Sequence, residues 1–117
     1  MKRFLGLRKC MRLYISNEDT WHGKPLWEAL IKKAQEMGLK GATVFKGAAG
    51  FGAHSQIHTF NVWILKQNLP LVIEMVEEEE KIRDFLNETS DMIEEGFVTM
   101  SDVEVIAYKH PKNGNPA

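Results

Sequence analysis

A chain of 117 residues, 44% hydrophobic and 26% charged, holds one domain with one core and is too short for two. Its formal net charge of −1 excludes a global field that would draw it onto nucleic acid or an anionic membrane, and its single cysteine, Cys10, excludes an internal disulfide and a multi-thiolate metal site. Residues 1–12 lack the apolar stretch of a secretory signal and no run approaches the roughly 18 apolar residues that a membrane span needs, which predicts a cytoplasmic protein with no direct membrane insertion.

Residues 1–9, with Lys2, Arg3, Arg8 and Lys9, read as a basic N-terminal arm ahead of a domain over 10–109. The first strand is predicted over 10–16, where Met11, Leu13 and Ile15 alternate with Arg12, Tyr14 and Ser16. Pro25 is suited to the first position of a helix, and from there Leu26, Trp27, Leu30, Ile31, Ala34 and Met37 make one apolar stripe that Gly38 stops. A second strand is predicted over 42–47, followed by a loop in which Gly47, Gly50 and Gly52 are spaced G-x-x-G-x-G. Two further β-type segments, 57–65 and 71–76, flank the turn Gln67-Asn68-Leu69-Pro70. The run Glu77-Glu78-Glu79-Glu80 opens a second helix, where carboxylates suit the positive end of the macrodipole. That helix carries Ile82, Phe85, Leu86, Thr89, Met92 and Ile93 on one face and ends at Gly96; the last strand is expected over 103–108, and the tail 110–117 is expected to fray.

Strand, helix, strand, strand, helix, strand is a doubled βαβ, which predicts an α+β, ferredoxin-like fold with an antiparallel sheet and both helices on one face. If Leu71, Ile73 and Met75 face the helices, Val72, Glu74 and Val76 face away; Ile106 and Tyr108 face away if Val103, Val105 and Ala107 point in. A second face of this mixed kind is expected to be covered by another copy of the chain, each Val or Ile contributing roughly 1.5–3 kcal/mol on burial.

Two stretches carry candidate binding chemistry. The glycine loop could turn several backbone N–H groups onto one anion, yet its spacing is neither the dinucleotide fingerprint nor a Walker A loop, and the segment beyond it reads as strand and not helix. Trp21-His22-Gly23-Lys24-Pro25 joins a helix N-terminus, a lysine and an aromatic face, a set able to hold a planar anion. The same residues also make a plain connection, with Trp21 a lid on the core and His22-Gly23 shaping a turn. His54 and His58 share a face only if their segment is helical, so a metal site of His22, His54 and His58 would need donors from elsewhere or from a second subunit. Cys10 sits at the start of a strand and Ser55 has no local base at a characteristic spacing, so no enzyme is expected. The aromatic-basic strand signature of RNA-binding sheets is missing.

Leu13-Tyr14-Ile15, Trp21-His22-Gly23-Lys24-Pro25-Leu26, Gly38-Leu39-Lys40-Gly41-Ala42-Thr43-Val44, Gly50-Phe51-Gly52, Ile57-His58-Thr59 and Leu69-Pro70-Leu71-Val72-Ile73-Glu74 together resemble the uncharacterised branch of the PII-like (GlnB-like) superfamily, the domain-of-unknown-function family one-ninety. The resemblance implies a homotrimer with ligands in clefts between subunits. PII signalling proteins bind adenine nucleotides there and engage membrane transporters or enzymes through the loop after the second strand, whose stem and start Gly50-Phe51-Gly52 and His54-Ser55-Gln56 match. In place of the glycine- and lysine-rich phosphate loop of PII proteins stands Glu95-Gly96-Phe97-Val98-Thr99-Met100. The resulting expectation is a non-enzymatic sensor of a small anionic metabolite, an adenine nucleotide being one candidate and no cofactor being certain. Its ligand-binding residues would be Trp21, His22, Lys24, Gly47, Gly50, Phe51, Gly52, Ser55 and His58. The alternative is a divalent-ion-binding trimer resembling ion-tolerance proteins of the same fold.

Overall fold

The structure, a computed structural model, describes residues 4–50, 58, 59 and 69–109. In chain order it contains β1 (Gly6–Ser16), β2 (Thr20–Trp21), β3 (Lys24–Pro25), α1 (Leu26–Glu36), β4 (Thr43–Lys46), β5 (Ala49–Gly50), β6 (His58–Thr59), β7 (Pro70–Glu77), α2 (Glu79–Thr89), a 3₁₀ turn at Ser90–Met92, and β8 (Phe97–Val105). The main sheet has the order β4-β7-β1-β8, every neighbouring pair antiparallel. This is the ferredoxin-like arrangement. No helix among the described residues is long and apolar enough to cross a membrane.

The core lies between one face of that sheet and the two helices. Met11, Leu13 and Ile15 of β1 and Leu71, Ile73 and Met75 of β7 meet Leu26, Leu30 and Ala34 of α1 and Ile82 and Phe85 of α2. Period two in the strands and 3.6 in the helices bring these side chains together, and each fully buried Leu, Ile, Met or Phe contributes about 1.5–3 kcal/mol. At the C-terminus of α1, Leu39 N–H bonds Ala34 O at 3.1 Å and Gly38 N–H bonds Gln35 O at 3.1 Å, with Gly38 at φ +79. That is a Schellman stop. Pro25 takes the N-cap position, one residue before the first helical position expected for it.

Several boundaries differ from those the sequence predicts. β1 begins at Gly6, inside the stretch read as a basic arm, because Arg8 and Lys9 pair across to Val103 and Asp102 and the Lys9 ammonium meets the Asp102 carboxylate. Glu77 ends β7 and does not open α2; Glu78 is the N-cap. The Glu77 carboxylate is buried, accepting the Lys40 N–H at 3.0 Å with the Lys81 and Lys40 ammonium groups at 3.7 and 3.9 Å. The second helix ends at Thr89, whose hydroxyl donates to Phe85 O at 2.8 Å, and not at Gly96. Gly96 instead sits where the chain presses on β1: a Cβ there would lie 2.6 Å from Tyr14 O.

The last strand starts at Phe97 and stops at Val105, and its parity is the reverse of the expected one. Val98 and Met100 pair with Leu13 and Met11 on the helix side, which places Val103 opposite Arg8 and Val105 opposite Gly6 on the far face. The segment 103–108 has apolar residues at both parities, so alternation within it could not choose; Met100 against the core does. β7 behaves as expected: Leu71, Ile73 and Met75 are buried, with Val72, Glu74 and Val76 half-buried on the far face. The strand expected over 57–65 falls outside the described residues except for His58–Thr59, which pairs with Ala49–Gly50.

The far face is organised in rows. Phe45, Val72, Tyr14 and Phe97 are successive cross-strand partners. The next row is Thr43, Glu74, Arg12 and Thr99, with Arg12 Nε bonded to Glu74 Oε2 at 2.9 Å. Beyond it stand Val76, Cys10 and Ser101.

Candidate functional site

One end of the sheet gathers four of the residues singled out from the sequence, Trp21, His22, Lys24 and Gly47. The end of β1 and the start of β7 meet there, Ser16 opposite Pro70, and Gly47 at the exit of β4 donates its N–H to Pro70 O at 2.8 Å. Asn17 and Leu69 lock the junction reciprocally: Asn17 N–H reaches Leu69 O at 2.9 Å, and Leu69 N–H reaches Asn17 Oδ1 at 2.7 Å. A glycine at 47 answers to packing, since a Cβ would meet Pro70 Cγ at 2.7 Å.

From this junction a short hairpin projects. Ser16 and Asp19 build its base: the Asp19 carboxylate accepts the Ser16 N–H at 3.0 Å, and Ser16 O accepts the Asp19 N–H at 3.2 Å. β2 and β3 pair Trp21 with Lys24 across the two-residue turn His22-Gly23, whose φ values are +51 and +80. Both central residues positive is the type I′ geometry that matches strand twist, with glycine at the second position and histidine among the few side chains that tolerate the first. The Trp21 and His22 rings stack at 4.2 Å between centroids and 18° between planes. Trp21 rests on the core while His22 and Lys24 are exposed. The hairpin runs into α1, where Leu26 N–H bonds Asp19 O at 2.8 Å and Pro25 provides no side-chain cap.

Trp21, His22 and Lys24 are therefore brought together at the N-terminus of α1, at the same end of the sheet as Gly47. Gly50 and His58 are brought opposite each other as backbone partners in β5 and β6. Phe51, Gly52, His54 and Ser55 lie outside the described residues, and with His54 goes any test of the three-histidine metal set. Among the described residues no group of three or more His, Cys, Asp or Glu is placed to hold a metal ion.

The sequence did not single out the aromatic row at this same end. Phe97 lies flat on Tyr14, centroids 4.5 Å apart and planes at 11°, and is 61% exposed; Phe45 is 51% exposed. The signal was present in Gly96-Phe97, a glycine followed by an aromatic at a strand start, but assigning Phe97 to a loop hid it.

The opposite end has a shallow depression of about 380 Å³ lined by Leu7, Arg8, Lys9, Glu78, Glu79 and Asp102. Lys9 is paired there: the hydrogen bond to Asp102 holds its ammonium above its ordinary pKa, and Glu79 lies 4.0 Å away. On the far face, the bond to Glu74 raises the Arg12 guanidinium, and burial, reinforced by the Glu74 charge, pushes the Cys10 thiol up. A raised thiol is a poor nucleophile at neutral pH.

This chain belongs to the DUF190 family, described as "Uncharacterized ACR", whose profile matches residues 8–105. It is 40% identical over 99 residues to a UPF0166 protein of Aquifex aeolicus, covering 85% of this chain and 93% of that one. To a UPF0166 protein of Methanocaldococcus jannaschii it is 31% identical over 98 residues, covering 83% and 90%. Among solved structures it is similar to CPII of Thiomonas intermedia, described as a nitrogen regulatory PII-like protein bound to ADP, AMP and bicarbonate, with a TM-score of 0.63 at 18% identity over 90% of this chain and 99% of that one. A PII-like signalling protein of Thermus thermophilus matches with a TM-score of 0.63 at 15% identity, covering 87% and 92%. The fold is PII-like.

Proposed function

We propose that this protein is a non-enzymatic, cytoplasmic PII-like sensor that assembles as a homotrimer and binds a small anionic metabolite in the clefts between its copies. The ligand end is the one that carries Trp21, His22, Lys24, Gly47 and Gly50, with Phe51, Gly52, Ser55 and His58 contributed by the segment beyond β5. An adenine nucleotide is the first candidate, and the ligand's state passes through the segment after β4 to a membrane transporter or an enzyme.

The observation that carries this reading is the type I′ hairpin, which sets an exposed lysine and a stacked Trp-His pair beside a helix N-terminus whose cap residue supplies no side-chain acceptor. An anion finds there a positive dipole end, a cation and an aromatic face. The ADP and AMP bound by the Thiomonas protein make nucleotides the natural first trial. The homotrimer draws on the half-apolar far face and on the PII resemblance.

Calorimetric titration with ADP, AMP and a divalent cation tests the reading. Lys24→Ala should weaken anion binding by about tenfold to a hundredfold, the worth of one charge-assisted contact, and leave folding nearly unchanged. If no adenine nucleotide or small organic anion binds at millimolar concentration, while a divalent ion stabilises the protein and His22→Ala removes that effect, the ion-binding alternative takes its place.

A further inference from the structure

Leu69 and Pro70, two consecutive residues at the entry to β7, hold two parts of the ligand end from opposite sides. Pro70 O turns toward β4 and accepts the Gly47 N–H at 2.8 Å, whereas Leu69 turns its N–H and its O toward β1, where both meet Asn17. Successive residues of an extended chain bond to opposite edges in this way. The dipeptide is a firm support: the Leu69 side chain is 1% exposed, and a Cβ at position 47 would lie 2.7 Å from Pro70 Cγ.

A regular hydrogen-bonded antiparallel pair exchanges backbone N–H···O bonds in both directions. Asn17 supplies its own N–H for one of them, to Leu69 O at 2.9 Å, but the acceptor of the other is its side-chain Oδ1, 2.7 Å from Leu69 N. The amide side chain takes the part of a backbone carbonyl and closes the ladder one residue beyond Ser16–Pro70, the last pair in register, while the backbone leaves the sheet for the hairpin. Two residues on, Asp19 O accepts the Leu26 N–H at 2.8 Å, so the hairpin is also tied to α1. The tie to α1 sets Lys24 against the helix N-terminus; the tie through Asn17 sets it against the sheet, and so against the backbone that leaves β4 at Gly47.

We propose that Asn17 is a positioning residue for ligand binding: with Leu69–Pro70 as the shared anchor, it fixes the spacing between the Lys24 hairpin and the chain leaving β4, so that one anion is held by both. This rests on the reading of that end as the ligand site and adds that its two holding elements act together, through a side chain that touches no ligand.

Amide NMR titration of the wild type, Asn17→Ala and Asn17→Asp with ADP and with inorganic pyrophosphate reads the two elements separately. In the wild type either anion should shift the resonances of residues 21–24 and of Gly47 and Ala48 along one binding curve. Asn17→Ala, which removes the acceptor, should bind about tenfold more weakly, keep the shifts in the hairpin and lose those at Gly47 and Ala48. Asn17→Asp keeps an oxygen for the Leu69 N–H and should keep the response at Gly47 and Ala48. Where Asn17→Ala does not fold by circular dichroism, Asn17→Gln, whose amide stands one carbon farther out, is titrated in its place with the same split expected. Wild-type affinity and both sets of shifts in the variant overturn the positioning role and leave the Lys24 reading standing. A weakening that scales both sets equally marks Asn17 as structural only and overturns it too, as does a wild type in which the hairpin alone responds. Absence of any response to both probes overturns the ligand reading and the positioning role together.

Discussion

Glu77 is the only buried charged residue among the described residues, 1% exposed, and it fastens the turn between α1 and β4 to the end of β7. Removing it by Glu77→Ala leaves the Lys40 N–H without its acceptor and should cost about 1–3 kcal/mol. Glu77→Gln keeps an acceptor and loses only attraction to Lys40 and Lys81, whose side chains are 35% and 44% exposed, so it should cost about 0–1 kcal/mol. Urea denaturation compares the two, and equal losses would show that the charge and not the backbone bond matters. Cys10 offers a second residue-level test. Its folded-state pKa is raised, chiefly by burial, so the protonated thiol favours the fold: stability is full below the unfolded value of about 8.5 and falls as pH rises above it. Labelling by a thiol reagent should be slow at pH 7, and Cys10→Ala should flatten the alkaline loss of stability. Rapid labelling of the native protein at neutral pH would contradict the buried environment.

The elements are fixed by packing and turn chemistry more than by propensity, and two glycines separate those causes. Gly38 closes α1 at φ +79 with open space where a Cβ would go, so Gly38→Ala should cost only about 1 kcal/mol, the strain of a left-handed alanine. Gly96, at φ +152, would in addition drive a Cβ against the Tyr14 carbonyl, so Gly96→Ala should cost clearly more in thermal denaturation; parity between the two would remove the close approach of β8 to β1 as a determinant. The same contrast explains which elements the sequence reveals. The cores of β1 and β7, the stripe of α1 and the Gly38 stop were legible because each is a local periodicity ending at a local signal. The early start of β8 and its reversed parity were not, since Phe97–Val105 is chosen by pairing with residues more than eighty positions away in sequence, Met100 beside Met11 and Val98 beside Leu13. At the candidate site, the Trp21 to Lys24 string was visible, while the Phe97–Tyr14 stack depended on that same long-range register.

For the whole molecule, the far face is the surface on which the proposed trimer would form. The helices cover one side of the sheet; the other presents Val72, Val76 and Tyr14 half-buried around the Arg12–Glu74 ion pair, with Phe45 and Phe97 more open at the edge strands. A lone subunit would leave that surface to water, and burying several such residues at roughly 1.5–3 kcal/mol each is enough to drive association. An ion pair in the middle of an apolar face gains little stability when buried, but it penalises any packing that leaves either charge unpaired, which favours one arrangement of copies over others. Light scattering at micromolar concentration should accordingly return the mass of a trimer. Val76→Asp places a carboxylate in the row with Cys10 and Ser101, away from the candidate ligand end. In a lone subunit this half-buried position can hydrate the charge, whereas in the assembly the charge is trapped without a partner. The variant should stay folded by circular dichroism, fall to monomer mass and lose ADP binding with the clefts. A monomeric wild type, or a Val76→Asp protein of unchanged mass, would mean that the far face is not the surface that joins the copies.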